Sequence, residues 1–135
     1  MITEDFVSFD VAKLLKEKEF DAEGVSEFGG YYVDYYHTGE RTGIVTESMM
    51  FNRTLEDWEC LRPTLQMVMK WLREAHSLEI YPYHDNTSIY NSKWWFEIIK
   101  YPNTVAEYES GKDEEFDSYE QACESAIKYC LENLI

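Results

Sequence analysis

Ser118-Tyr119-Glu120-Gln121-Ala122-Cys123-Glu124-Ser125-Ala126-Ile127-Lys128-Tyr129-Cys130-Leu131-Glu132-Asn133-Leu134-Ile135 reads as one capped amphipathic helix. Ser118 followed three residues later by Gln121 makes an S-x-x-Q capping box, in which the two side chains satisfy amide donors that the first helical turn leaves orphaned. Tyr119, Ala122, Cys123, Ala126, Ile127, Cys130, Leu131 and Leu134 then occupy one wide apolar stripe. Such a stripe must be buried against another element, so this helix anchors the core of a folded globular domain. It carries no chemistry of its own.

Working back from that helix, residues 110 to 117 form an acidic loop, and Thr104–Glu109 reads as a strand. Pro102-Asn103 makes a turn. The strongest strand signal is Ser92-Lys93-Trp94-Trp95-Phe96-Glu97-Ile98-Ile99-Lys100-Tyr101. Alternation puts Trp94, Phe96 and Ile98 on one side and Trp95, Glu97 and Ile99 on the other. Residues 84 to 91 read as a loop. Leu78-Glu79-Ile80-Tyr81-Pro82-Tyr83 also alternates, but Pro82 lacks an amide donor and restricts this strand to an edge or an end. Upstream, Arg62-Pro63-Thr64 opens a helix, with Pro63 suited to its first turn. Its expected buried stripe is Leu65, Val68, Met69, Leu72 and Ala75, with Trp71 at the edge and an end near His76 or Ser77.

Residues 3 to 18 carry another helical pattern. Thr3 or Ser8 is its cap, and Val7, Val11, Leu14, Leu15 and Lys18 follow helical spacing. A polar segment ending in Gly29-Gly30 leads to Tyr31–Tyr36 and Ile44–Ser48, two β-rich runs around a glycine-containing turn, which read as an antiparallel hairpin. Between residues 49 and 61, Met49, Met50 and Phe51 read as a continuation of the strand and Leu55–Leu61 as a short helical turn. Val11-Ala12-Lys13-Leu14-Leu15-Lys16-Glu17 echoes Val68-Met69-Lys70-Trp71-Leu72-Arg73-Glu74. Each is followed by strand-like sequence, which raises the duplication of a helix-plus-hairpin unit beside the plain reading that amphipathic helices share such words.

At 135 residues the chain has the size of a single domain, residues 1–135. It buries enough surface to need neither disulfide nor metal. Aromatic residues make up 16%, against the composition of disordered segments. With 27 acidic and 12 basic residues the formal net charge is -15. That field repels nucleic-acid phosphates and anionic membrane surfaces, so neither is an expected partner. Two readings of the acidity stay open: solubility, and a negative face that binds a basic protein, in one version by imitating DNA. No run reaches the ~20 apolar residues of a membrane span. Met1–Phe6 has neither a basic nor an apolar leader segment, which points to a cytoplasmic protein.

Catalytic and cofactor signatures are missing from the sequence. There is no phosphate loop, dinucleotide fingerprint or nucleophile elbow. His37, His76 and His84 form no ligand pair, and Cys60 has no neighbouring ligand at metal spacing. Cys123 and Cys130 lie two helical turns apart, about 10 Å at the helical rise, and read as reduced core thiols. Lys112–Asp117 lacks the ligand order of a calcium loop. No catalytic residue, metal or cofactor is therefore expected.

The aromatic doublets are the unusual feature. Tyr31, Tyr32, Tyr35, Tyr36, Trp94 and Trp95 lie on strand-like runs, where neighbours point to opposite faces, so each doublet aims one ring inward and one outward. The plain reading is cross-strand packing or helices on both faces. The sharper reading is a partner or self-association surface, with Tyr32, Tyr36, Trp95 and Tyr83 as its candidate residues.

Several segments also resemble a known group. They are Ile2–Phe9, Ala12–Lys18, Pro63–Gln66, Met69–His76, Tyr119–Ala122 and Lys128–Ile135, about half of the chain. They are similar to small uncharacterised proteins of gut Bacteroides-type bacteria, their phages and mobile elements. Glu19 stands where that group has a helix-ending glycine, and residues 21 to 61 do not match. The group has no assigned activity, so the resemblance implies origin and a constant fold rather than a mechanism.

Together these readings predict an α+β domain: an antiparallel sheet of about four or five strands packed as a single layer pair against about two or three helices. The leading functional expectation is a non-enzymatic accessory protein, monomeric or weakly dimeric, that binds another protein; a phage-type acidic inhibitor is its specific form. The alternatives are a small-molecule-binding domain or weak enzyme with a Tyr/Trp-lined pocket between sheet and helices, and a self-assembling structural component.

Overall fold

The computed structural model describes residues 2–20, 33–37, 40–45, 59–85, 93–111 and 114–135; for 33–37, 40–45 and Glu59 it describes the backbone alone. The chain divides into two compact units, Met1–Met67 and Val68–Ile135. The Gly29-Gly30 loop, the strand continuation at Met49–Phe51 and the part of the helical turn at Leu55–Trp58 lie outside the described residues.

The first unit begins extended, not helical. Phe6 bridges Thr64; the Val7 amide donates to the Pro63 carbonyl at 3.0 Å and the Leu65 amide to the Asp5 carbonyl at 2.9 Å. The Arg62 guanidinium lies 4.0 Å from the centre of the Phe6 ring. Helix α1 (Phe9–Glu17) starts only at Ser8, whose Oγ accepts from the Val11 amide at 3.3 Å. Of the two candidate caps the structure uses Ser8, because Thr3 lies in the extended segment. Val7, Val11, Ala12 and Leu15 are buried, whereas Leu14 is half-buried.

The end of α1 is a Schellman motif. The Phe20 amide donates to the Leu15 carbonyl at 3.0 Å and the Glu19 amide to the Lys16 carbonyl at 3.2 Å. This geometry needs a left-handed residue, and Glu19 adopts it with φ 65°. Glu19 therefore occupies a position where glycine avoids the Cβ clash.

Three strands follow: β1 (Val33–His37), β2 (Glu40–Val45) and β3 (Glu59–Arg62). They form an antiparallel sheet in the order β2-β1-β3. The hairpin register closes at His37 opposite Glu40, so Arg41–Gly43, expected in the turn, belong to β2. Gly43 pairs with Tyr35 beside a register shift, a common place for glycine in a strand. Cys60 and Leu61, placed in the short helical turn on sequence grounds, are strand residues paired with Tyr36 and Tyr35. A segment of this length has no periodicity that separates the two states, and pairing to β1 decides it. Helix α1 lies against β3, where Cys60 and Leu61 are buried.

Helix α2 (Leu65–His76) starts in the first unit and continues into the second. Thr64 Oγ1 accepts from the Met67 amide at 3.2 Å, so Thr64 is the cap and Pro63 precedes it. Leu65, Val68, Met69 and Leu72 are buried as the stripe predicts, but Ala75 is exposed.

The second unit holds β4 (Leu78–Asp85), β5 (Lys93–Lys100) and β6 (Ala106–Glu109), an antiparallel sheet ordered β4-β5-β6, and helix α3 (Tyr119–Asn133). Pro82 lies on the edge strand β4, as its missing donor requires. Past β6 the edge of β5 is completed by loop residues. Ser110 Oγ accepts from the Phe96 amide at 2.9 Å, the Ser110 amide donates to the Phe96 carbonyl at 2.9 Å, and Trp94 and Phe116 exchange two backbone bonds of 2.8 Å. Ser110 is buried, and these bonds satisfy it.

Helix α3 lies against β4 and β5. Ser118 Oγ accepts from the Gln121 amide at 3.1 Å; Gln121 Oε1 in turn accepts from the Asp117 amide at 3.1 Å, one residue before the position a standard capping box would use. Ala122, Cys123, Ala126, Ile127, Cys130 and Leu131 are buried, while Tyr119 and Leu134 at the stripe's ends are half-buried. Opposite them, Leu78, Ile80, Phe96 and Ile98 are buried on the inner face of the sheet.

Among the described residues the architecture is thus α+β, and every strand pairing is antiparallel. Its strands are shared between two three-stranded sheets instead of one sheet of four or five. The expected count assumed that all strand-like segments pair with one another; the hydrogen-bond ladder closes separately within each unit. Among the described residues α1 and α2 are each followed by three strands, yet β1 is central in the first sheet and β5 in the second, so strand order does not repeat with the helix echo. Among the described residues no helix is long and apolar enough to cross a membrane.

Relieving the strained cap should stabilise the protein. Glu19→Gly is expected to raise unfolding stability by about 0.5–1 kcal/mol, the left-handed penalty less glycine's entropic cost. Glu19→Val should lower it. Urea unfolding monitored by circular dichroism distinguishes the two shifts.

Candidate interaction surface

The pairing of β4 with β5 decides which aromatic rings meet. Leu78 is opposite Lys100, Ile80 opposite Ile98, Tyr81 opposite Glu97, Tyr83 opposite Trp95, and Asp85 opposite Lys93. Since paired residues share a face, Ile80, Ile98 and Phe96 point toward α3, while Tyr81, Tyr83, Trp95 and Glu97 occupy the outer face. No residue of β4 or β5 on that outer face is buried.

On the outer face the Tyr83 and Trp95 rings stack with centroids 4.5 Å apart and an interplanar angle of 18°. Tyr83 is 39% exposed. Such a pair contributes about 0.5–1.5 kcal/mol beyond its buried area and holds both rings rigid. Next along the strands, the Tyr81 and Tyr101 hydroxyls share a hydrogen bond of 2.8 Å. That bond, with desolvation and nearby charges, pushes the Tyr81 hydroxyl up to about 12. Glu79 takes the Arg73 guanidinium at 3.3 Å, and Lys93 pairs with Asp117, which raises the lysine pKa.

The inner face is a continuous aromatic layer. Trp94 packs against His84 at 4.8 Å and edge-on against Tyr119 at 5.4 Å; Phe96 lies 5.8 Å from both Phe116 and Tyr108. Tyr108 stacks on Tyr129 of α3 at 3.8 Å and 15°. Its hydroxyl donates to Glu114 at 3.0 Å, and this bond raises its pKa. Glu114 and Asp117, in the loop before α3, are thus each partnered by a strand residue, Tyr108 of β6 and Lys93 of β5.

The candidate residues named from sequence divide as follows. Trp95 and Tyr83 come together, a pairing that the sequence did not reveal because it depends on register. Tyr36 lies on β1 of the other sheet, opposite Cys60. Tyr32 lies outside the described residues. The Tyr81–Tyr101 bond and the facing of Glu97 toward Glu109 across β5 and β6 were also missed. The one available signal was the edge placement of Pro82, which makes β5 the centre of its sheet.

The chemistry of the remaining groups is modest. Cys60, Cys123 and Cys130 are free and buried. Burial pushes the Cys123 thiol up to about 11 and that of Cys130 to about 12; burial also raises Cys60, with Lys16 and Lys13 opposing it. Such thiols hold little thiolate near neutrality. Desolvation, then the charge of Lys100, lowers the pKa of His76, which sits edge-on to Trp71 at 4.7 Å. Among the described residues no group of three or more His, Cys, Asp or Glu side chains could hold a metal ion. A surface pocket of about 500 Å³ is lined by Pro102, Asn103, Thr104, Val105, Ala106 and Glu107. It contains no tyrosine or tryptophan.

Two measurements check this picture. Tyr101→Phe removes the shared hydroxyl bond, so the Tyr81 titration followed by NMR of its ring carbon should fall from about 12 toward 10. The sign for stability follows: a folded pKa above the unfolded one favours the fold below pH 10, and that contribution is lost as pH rises toward about 12. Separately, the thiols should resist an aromatic disulfide reagent at pH 8 until denaturant is added, whereas fast labelling of the native protein would contradict their burial.

No family model, curated protein or solved structure matches this chain.

Proposed function

We propose that this protein is a non-enzymatic accessory protein that binds another protein through the outer face of its second sheet. The observation that carries this reading is the Tyr83–Trp95 stack, a rigid aromatic pair held on a sheet face where no β4 or β5 residue is buried. Large preorganised rings contribute most of the energy at many protein interfaces, because they lose little rotamer entropy on binding. The raised thiol pKa values support a non-catalytic reading, since they leave the cysteines poor nucleophiles.

The small-molecule alternative places a Tyr/Trp-lined pocket between sheet and helices. It is less favoured because the side chains there, Phe96, Ile98, Ala126 and Ile127 among them, are at most 1% exposed. The specific form of the interaction reading is an acidic inhibitor carried by a phage or mobile element, acting in the cytoplasm as a monomer or weak homodimer. It is supported by the net charge of -15 and by the resemblance of the helix segments.

Affinity capture with the tagged chain from lysate of a related host, at moderate salt, tests the reading. A stoichiometric partner should be recovered with the wild type and with Val105→Ala, an exposed position in the connection between β5 and β6. It should be lost with Trp95→Ala. Recovery of the bait alone, or of the same partner with Trp95→Ala, would overturn binding through this face.

A further inference from the structure

The outer face also carries an electrostatic feature that specifies what would dock there. Glu97 is opposite Tyr81 on one side and opposite Glu109 on the other. Carboxylates directly opposed on neighbouring strands are destabilising unless a cation offsets them. Among the described residues of this sheet and its flanking helix, Arg73 is paired with Glu79 and Lys93 with Asp117, and Lys100, opposite the buried Leu78, alternates to the other face. Among the described residues neither Glu97 nor Glu109 makes an ion pair. Two residues along β5 from Glu97, on the same face and about 7 Å away at the strand rise, stands Trp95 in its stack with Tyr83.

Aromatic face and uncompensated carboxylates together have a defined chemical complement. A guanidinium is planar, stacks on aromatic rings and donates in a fork to carboxylate oxygens. An ammonium satisfies the charge but not the fork. A neutral apolar segment would cover the rings and leave both carboxylates desolvated without a partner, which is costly. A second copy of this chain would bring the same excess of negative charge, since each copy carries -15.

We infer that the outer face of β4, β5 and β6 docks an arginine-bearing cationic segment of a partner protein, with a guanidinium seated on the Tyr83–Trp95 stack and forked to Glu97 and Glu109. This rests on the protein-binding reading above and deepens it by naming the partner's chemistry. Trp95 and Tyr83 supply the stacking surface, and Glu97 with Glu109 supplies the charge.

Calorimetric titration of the full chain with an octa-arginine peptide tests it, with octa-lysine as comparison. The double variant Glu97→Gln/Glu109→Gln should bind octa-arginine at least about tenfold more weakly. Glu4→Gln/Glu17→Gln removes the same charge from exposed positions of the first unit and should change affinity by less than about threefold. Octa-arginine should bind more tightly than octa-lysine, and Trp95→Leu should narrow that difference. Equal losses in the two double variants would show a general field effect and overturn the inference, as would equal affinity for the two peptides. Relief of the carboxylate repulsion should leave Glu97→Gln/Glu109→Gln at least as stable as wild type, so lost binding is not lost folding. In the capture experiment, a partner lost with Trp95→Ala but retained with Glu97→Gln/Glu109→Gln would overturn this inference and leave the protein-binding reading standing. A partner retained with Trp95→Ala would remove that reading itself.

Discussion

The second unit depends on the close seating of α3 on β4 and β5. The helix presents Ala122, Cys123 and Ala126 beside Ile127, Cys130 and Leu131, all buried. Small side chains let the helix axis approach the sheet, and the larger ones are buried together with Phe96 and Ile98 of the strand face that α3 covers. Full burial of a side chain such as Ile127 or Leu131 contributes about 1.5–3 kcal/mol. Because side chains alternate along a strand, this one buried face also sets the register. A slip of one residue would turn Trp95 inward and Phe96 out, exchanging a core ring for an indole whose N–H would need a partner. The seating of α3 therefore determines which aromatic rings reach the outer face.

Charge acts on top of that packing. The chain has far more carboxylates than cations, and the described cations of the second unit are mostly committed to local pairs such as Lys70 with Glu74 and Lys128 with Glu132. These pairs are exposed and each contributes only a few tenths of a kcal/mol. They nonetheless leave a specific deficit where β5 and β6 bring Glu97 and Glu109 opposite each other. An excess spread evenly over a surface serves solubility. A deficit beside a rigid aromatic pair is a chemical preference, and it favours guanidinium over neutral or anionic partners.

Much of this was legible in the residues. The S-x-x-Q cap and apolar stripe placed α3 within two residues of its observed ends, and the alternation of Trp94–Ile99 placed β5 and its two faces. Pro82 announced an edge strand. Other features were not legible. Ile2–Val7 carries apolar residues at helical spacing, yet backbone bonds to Pro63 and Leu65 hold it extended. Cys60 and Leu61 are too short a run to declare a strand without β1 beside them. The positions most tied to the candidate surface, Tyr83 beside Trp95 and Glu97 beside Glu109, are separated in sequence by twelve residues in each case, and nothing local links them.

Glu19 shows both sides of this divide. The resemblance implies a helix-ending glycine at its position, and the tertiary structure has a left-handed cap there formed by glutamate. What the sequence alone determined is whatever depends on contacts within a turn or two: helix caps, helical stripes, strand alternation and net charge, since these arise from residues separated by one to four positions. What only the tertiary structure decided is the division of the strands between two sheets, the register of β4 on β5 and the set of side chains that share the outer face. Those depend on hydrogen bonds between distant segments, and many pairings satisfy the local pattern equally well until burial against a helix selects one.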